Sequence, residues 1–132
     1  MSYSVQFRGG EFYIDKKNIK SAENALMSYR TRHGYDTAEN ATLVDMLCDC
    51  RWVPEEDNGG NIIYIYLDDE YLGDEEYWFE EIAPFVKRGS YLAFEGVDGH
   101  FWCYYFDGRH CTQHSGVITF TPTTGKKIAI DT

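Results

Sequence analysis

Apolar and polar residues alternate in EFYID, which predicts a first strand over residues 11–15. The period then lengthens. Ile19, Ala22, Leu26 and Tyr29 recur at helical spacing and predict a helix over about 18–31, with Asn18 as its N-cap and Gly34 at its end. Leu43, Met46, Leu47 and Cys50 predict a second helix over about 40–50, capped by Asn40 or Thr37. RWVP reads as a short edge strand, because Pro54 has no N–H to give to a ladder. EEDNGGN is a turn, IIYIYL at 62–67 a strand, and Trp78, Ile82 and Phe85 mark a third helix over about 74–86 that Pro84 ends or bends. SYLAFE, FWCYYF and HCTQHS form a closing meander, with VITFT and KIAID as candidate strands beyond it.

The order is β-α-α-β-β-α-β-β-β. It predicts a single α+β domain over 1–132, an antiparallel sheet with helices packed on one face. The turns assign the faces of the meander. VDG at 97–99 suits a three-residue hairpin loop with Gly99 left-handed, which pairs 94 with 102 and 92 with 104. Leu92, Phe94, Trp102, Tyr104 and Phe106 then face the core. DG at 107–108 suits a two-residue turn that pairs 104 with 111 and 103 with 112. Tyr91, Glu95, Phe101, Cys103, Tyr105, His110 and His114 are left on a partly covered outer face.

Composition adds a charge pattern. The aromatic share of 17% argues against disorder. The net charge is −10, and its placement is uneven. Residues 52–86 hold eleven acids and no Lys or Arg, whereas 1–51 hold seven acids and seven bases. Such a field disfavours nucleic acid or an anionic membrane as a partner. The N-terminal residues show no apolar run of the signal-peptide kind, and IIYIYL and FWCYYF are too short to cross a bilayer. A cytoplasmic setting is expected.

The densest acidic stretch is LDDEYLGDEEYWFEE, Leu67 to Glu81. Helix-start and turn chemistry account locally for Asp74, Glu75 and Glu76 and for Asp68, Asp69 and Glu70. They do not account for the absence of interleaved bases, which mixed surfaces normally carry. Asp68, Asp69, Glu70, Tyr71, Asp74, Glu75, Glu76, Tyr77 and Glu80 are therefore the candidate partner-binding residues, and all eleven acids are expected on one continuous surface. No nucleophile accompanies the carboxylates, no catalytic motif is complete, and Tyr71 and Leu72 break the ligand alternation of a calcium loop. TTGKK lacks the first glycine and the Ser or Thr of a phosphate loop. Cys48 and Cys50 point to different sides of a helix, and Cys103 and Cys111 to opposite faces of the sheet, so neither spacing suits a disulfide. An alternative site is a metal-binding trio of Cys103, His110 and His114 on the outer sheet face.

The segment 61–111 resembles a cassette in small uncharacterised acidic proteins of bacteria and their phages. There, an acidic helix leads into an APYV.DGSYIE strand, a GEDG turn and a WRWVFDGGKC strand. Matching residues are Gly73, Asp74, Ala83, Pro84, Gly89, Ser90, Tyr91, Gly96, Asp98, Gly99, Trp102, Phe106, Asp107, Gly108 and Cys111. The arginines flanking the tryptophan of that cassette are Phe101 and Cys103 here, so a basic outer strand is absent. The resemblance implies a mobile-element setting, where small acidic proteins obstruct larger host proteins. The expectation is a non-enzymatic protein, without cofactor, that binds and inhibits a basic, nucleic-acid-binding protein through its negative surface.

Overall fold

A computed structural model describes residues 3–117. VITFT and KIAID fall, but for Val117, outside them, as does TTGKK. The chain runs β1 (Val5–Glu11), α1 (Lys16–Arg32), α2 (Leu43–Asp49), β2 (Trp52–Glu56), β3 (Ile62–Leu67), α3 (Glu75–Ile82), a 3-10 turn (Ala83–Phe85), β4 (Tyr91–Gly96), β5 (Phe101–Phe106) and β6 (Cys111–Gly116). This is the α+β order the periodicity predicts. The strands form two antiparallel sheets rather than one, a four-stranded β1-β4-β5-β6 and a β2-β3 hairpin.

The hairpin touches the larger sheet's first strand by packing more than by ladder. Among the described residues, the single bridges Ser4–Tyr71 and Ile14–Ile62 join the hairpin and the turn after it to the N-terminal segment. Trp52, fully buried, ties the two sheets together. Its ring lies 5.5 Å from Phe7, 5.5 Å from Phe79 and 6.0 Å from Phe94, in edge-on geometries that aromatic quadrupoles favour.

The first strand lies at Val5–Glu11, upstream of the predicted 11–15. Gly9 and Gly10 build a bulge within it. The register against β4 shifts between Phe7 and Gly9. Gly10 is required there, since a Cβ on it would stand 1.9 Å from the carbonyl oxygen of Tyr91. Helix α1 begins earlier than predicted because Asp15, not Asn18, accepts from the Lys17 N–H at 3.0 Å. Helix α2 begins later, at a capping box in which Thr42 and Asp45 exchange bonds with each other's N–H, so neither Asn40 nor Thr37 caps it. Pro84 ends α3 at Ile82 and tightens Ala83–Phe85 into the 3-10 turn.

In the meander Phe94 pairs with Trp102 and Leu92 with Tyr104, and Gly99 is left-handed at φ 83°, as the VDG loop requires. Leu92, Phe94, Trp102, Tyr104 and Phe106 are buried against the helices, while Phe101, Cys103 and Tyr105 are half-buried on the outer face. The second turn differs from the two-residue expectation. Phe106 pairs with Cys111, Tyr104 with Gln113 and Cys103 with His114, so four residues form the loop. Asp107 stabilises this wider loop by accepting from the N–H groups of Arg109 at 2.9 Å and His110 at 2.7 Å. The register moves by two residues, which preserves every face assignment on β6.

Candidate functional site

A cleft of about 300 Å³ opens where the C-terminal half of α1, the end of α2 and the 69–75 segment converge. Local chemistry positions each wall. Arg51, at φ 70°, takes the left-handed position after α2 that glycine usually fills, and this turns the chain into β2. Its carbonyl accepts from the Asp68 N–H at 2.8 Å, which starts the β2–β3 pairing. The base that closes α2 therefore stands beside the acids that follow β3, and the Arg51 Nε lies 4.0 Å from the Asp69 carboxylate.

Two charged residues at the cleft are buried. Arg30 is 3% exposed and Glu75 is 2% exposed. Arg30 donates to Thr37 Oγ1 at 2.8 Å, to Cys50 Sγ at 3.3 Å and to the Asp49 carboxylate, and its guanidinium lies 4.9 Å above the Tyr35 ring. Among the described residues Glu75 has no such counter-charge. Its carboxyl accepts from the indole N–H of Trp52 at 3.1 Å and from the Gly73 N–H at 2.5 Å, both neutral donors. Burial pushes its pKa above the ordinary glutamate value, and the Trp52 bond offsets this only in part. Asp74 accepts from the Tyr35 hydroxyl, and that bond pushes the tyrosine up to about 12. Tyr29, which stacks on Tyr35, and Trp78 complete an aromatic wall, with the exposed Tyr71 beside them.

The structure divides the sequence-predicted residues. Asp69, Tyr71, Asp74 and Glu75 meet at the cleft. Asp68 and Glu70 are exposed on the same turn, and the Glu70 carbonyl accepts from the Val5 N–H at 2.7 Å. Glu76 and Tyr77 are exposed on the first turn of α3. Glu80 points elsewhere. Its carboxylate receives His110 Nδ1 at 2.6 Å and the Cys111 N–H at 2.7 Å, and so fastens α3 to the β5–β6 loop. The expected continuous surface of eleven acids does not form. Glu55, Glu56 and Asp57 sit at the far end of the β2–β3 hairpin, about 13–20 Å along the strands from Asp68. The missing bases arrive from outside the segment: Arg32 pairs with Glu81 at 2.8 Å, Arg51 approaches Asp69, and His110 meets Glu80.

The alternative trio does not assemble. Cys103 and His114 are cross-strand neighbours, but His110 belongs to the turn and is held by Glu80. Among the described residues no group of three His, Cys, Asp or Glu side chains is placed to share a metal ion. Among them, too, no helix is long and apolar enough to cross a membrane.

Sequence reading missed Arg30, Tyr35, Asp49, Cys50 and Arg51 as parts of this site. One signal was present: Arg30 stands four residues after Leu26, on the buried stripe of α1, where a charged residue needs a partner. In comparisons with known proteins, no protein family, curated protein or solved structure matches the chain, so the site is defined by its own geometry.

Proposed function

We propose that the protein is a non-enzymatic acidic interaction protein. It binds a basic protein surface of the kind that otherwise holds nucleic acid, and inhibits that protein by covering the surface. The observation that carries this reading is the fate of the acids in 68–77. Asp74 and Glu75 are drawn into the cleft, and Asp69 is tied to its own turn by accepting from the Glu70 N–H at 2.6 Å. Asp68, Glu70 and Glu76 remain exposed, without an ion pair among the described residues, beside Tyr71 at 45% and Tyr77 at 60% exposure. Carboxylates with free tyrosine edges supply the two parts of a protein contact, a field that speeds encounter and rings that anchor it. The resemblance to mobile-element proteins supports a role in obstructing a host protein inside the cell.

The test is affinity capture from the native cell with wild type and with the triple variant Asp68→Asn, Glu70→Gln, Glu76→Gln. Wild type is expected to retain a basic protein that short duplex DNA displaces and that added salt releases. The triple variant is expected to lose it. Equal capture by the neutralised variant, or a partner indifferent to nucleic acid, overturns the reading.

A further inference from the structure

The cleft has properties that an acidic surface alone does not explain. Its volume of about 300 Å³ lies at the small end of ligand cavities, which run about 300–1,000 Å³. It is therefore sized for one side chain or a molecule no larger than an amino acid. Tyr29, Tyr35, Tyr71 and Trp78 supply flat aromatic surface around it.

The charges at the wall are unequal. Arg30 is engaged by Asp49, Cys50 and Thr37, and Arg51 stands beside Asp69. That leaves Asp74 and Glu75. Neither makes an ion pair among the described residues, and each holds only neutral donors: the Tyr35 hydroxyl on one, the Trp52 indole and the Gly73 N–H on the other. A buried carboxylate without a counter-charge is costly, and an entering cation removes that cost.

We infer that this cleft receives the guanidinium of an arginine from the basic partner, held between the carboxylates of Asp74 and Glu75 and laid against the tyrosine rings. A planar guanidinium suits the site better than an ammonium, because it stacks on aromatic faces and presents several donors to two carboxylates at once. The inference rests on the interaction reading above. It assigns the exposed acids to encounter and the cleft to specificity.

The experiment separates the two. N-acetyl-arginine amide, N-acetyl-lysine amide and the neutral N-acetyl-citrulline amide are titrated into the isolated protein, with no partner present. Backbone and indole N–H resonances are followed by NMR. The arginine probe is expected to saturate, shifting the Trp52 indole and Gly73 amide signals, while the citrulline probe leaves them in place. The lysine probe is expected to bind severalfold more weakly. Asp74→Asn and Glu75→Gln are each expected to weaken the arginine probe at least tenfold. Asp74→Asn keeps the test decisive if the buried substitution impairs folding. Binding of citrulline or lysine as tight as arginine, arginine binding unchanged in Asp74→Asn, or no saturable shift, overturns the inference. If the probe fails while the triple variant still loses the captured partner, the cleft reading falls and the interaction reading stands. If the probe binds and capture is unchanged, the reverse holds.

Discussion

The two ends of the β2–β3 hairpin carry similar acidic sequence and behave in opposite ways. At the 57–61 turn, Asp57 accepts from the N–H groups of Gly59 at 2.9 Å and Asn61 at 3.0 Å, and from the Asn61 side chain at 2.9 Å. These donors, the Asn61 side chain foremost, hold its pKa below the ordinary aspartate value. At the other end, the 68–75 segment sends Asp74, Asp69 and Glu75 across the fold to Tyr35, Arg51 and Trp52, and burial pushes Glu75 up. A carboxylate satisfied within a few residues is stabilised as an anion in place. Glu75, carried into the interior, has its protonated form favoured instead.

The strongest break of this contrast is Trp52→Ala. It removes both the ring that joins the sheets and the donor to Glu75, and a loss of about 3–5 kcal/mol in folding stability is expected from urea unfolding. Glu75→Ala comes next. It leaves the Trp52 indole and the Gly73 N–H without an acceptor, at a cost of about 1–3 kcal/mol in the same measurement. Asp57→Ala is expected to cost less than Glu75→Ala, because its turn donors are open to water. A result in the other order would mean that the 57–61 turn, not the cleft, anchors the hairpin.

Titration sharpens the comparison further. The folded chain holds the Glu75 proton more tightly than the unfolded chain does. That contribution is present below the ordinary glutamate value and is lost as pH rises through the folded value. Asp57 has the opposite sign. Its contribution is present above the ordinary aspartate value and is lost as pH falls through the folded value. Unfolding midpoints measured between about pH 3 and about pH 8 are expected to flatten on the alkaline side in Glu75→Gln and on the acid side in Asp57→Asn. Slopes unchanged by either substitution would place the titrating groups elsewhere.

The smallest effect is expected from the exposed acids. Asp68→Asn, Glu70→Gln and Glu76→Gln are each expected to shift stability by no more than about 0.5 kcal/mol, since none is tied to a buried partner. A larger loss would assign these residues to the fold and withdraw them from the contact surface.

Much of the fold was legible in the sequence because its signals are local. The 3.6-residue recurrence of Ala22, Leu26 and Tyr29 locates α1, and the VDG loop fixes the β4–β5 register to the residue. The errors also have local causes. The expected 11–15 strand misses Val5–Glu11 because a bulge at Gly9 and Gly10 interrupts the alternation, and the DG pair read as a tight turn where Asp107 caps a wider one. The candidate site was legible only in part. Asp69, Tyr71, Asp74 and Glu75 stand out by composition, but Arg30, Tyr35 and Asp49 join them from 20 or more positions away.

The sequence by itself determined the α+β element order, the alternation that buries Trp102, Tyr104 and Phe106, and the concentration of negative charge in one quarter of the chain, because each depends on spacing along the backbone. Only the tertiary structure decided which acids that charge leaves exposed. Arg32, Arg51 and His110 reach their carboxylates across the fold, Glu55 to Asp57 are carried to the far end of a hairpin, and Glu75 is turned inward beneath Trp52. Pairing, distance and burial are properties of neighbours in space, and they alone separate a carboxylate that serves the fold from one left exposed to solvent.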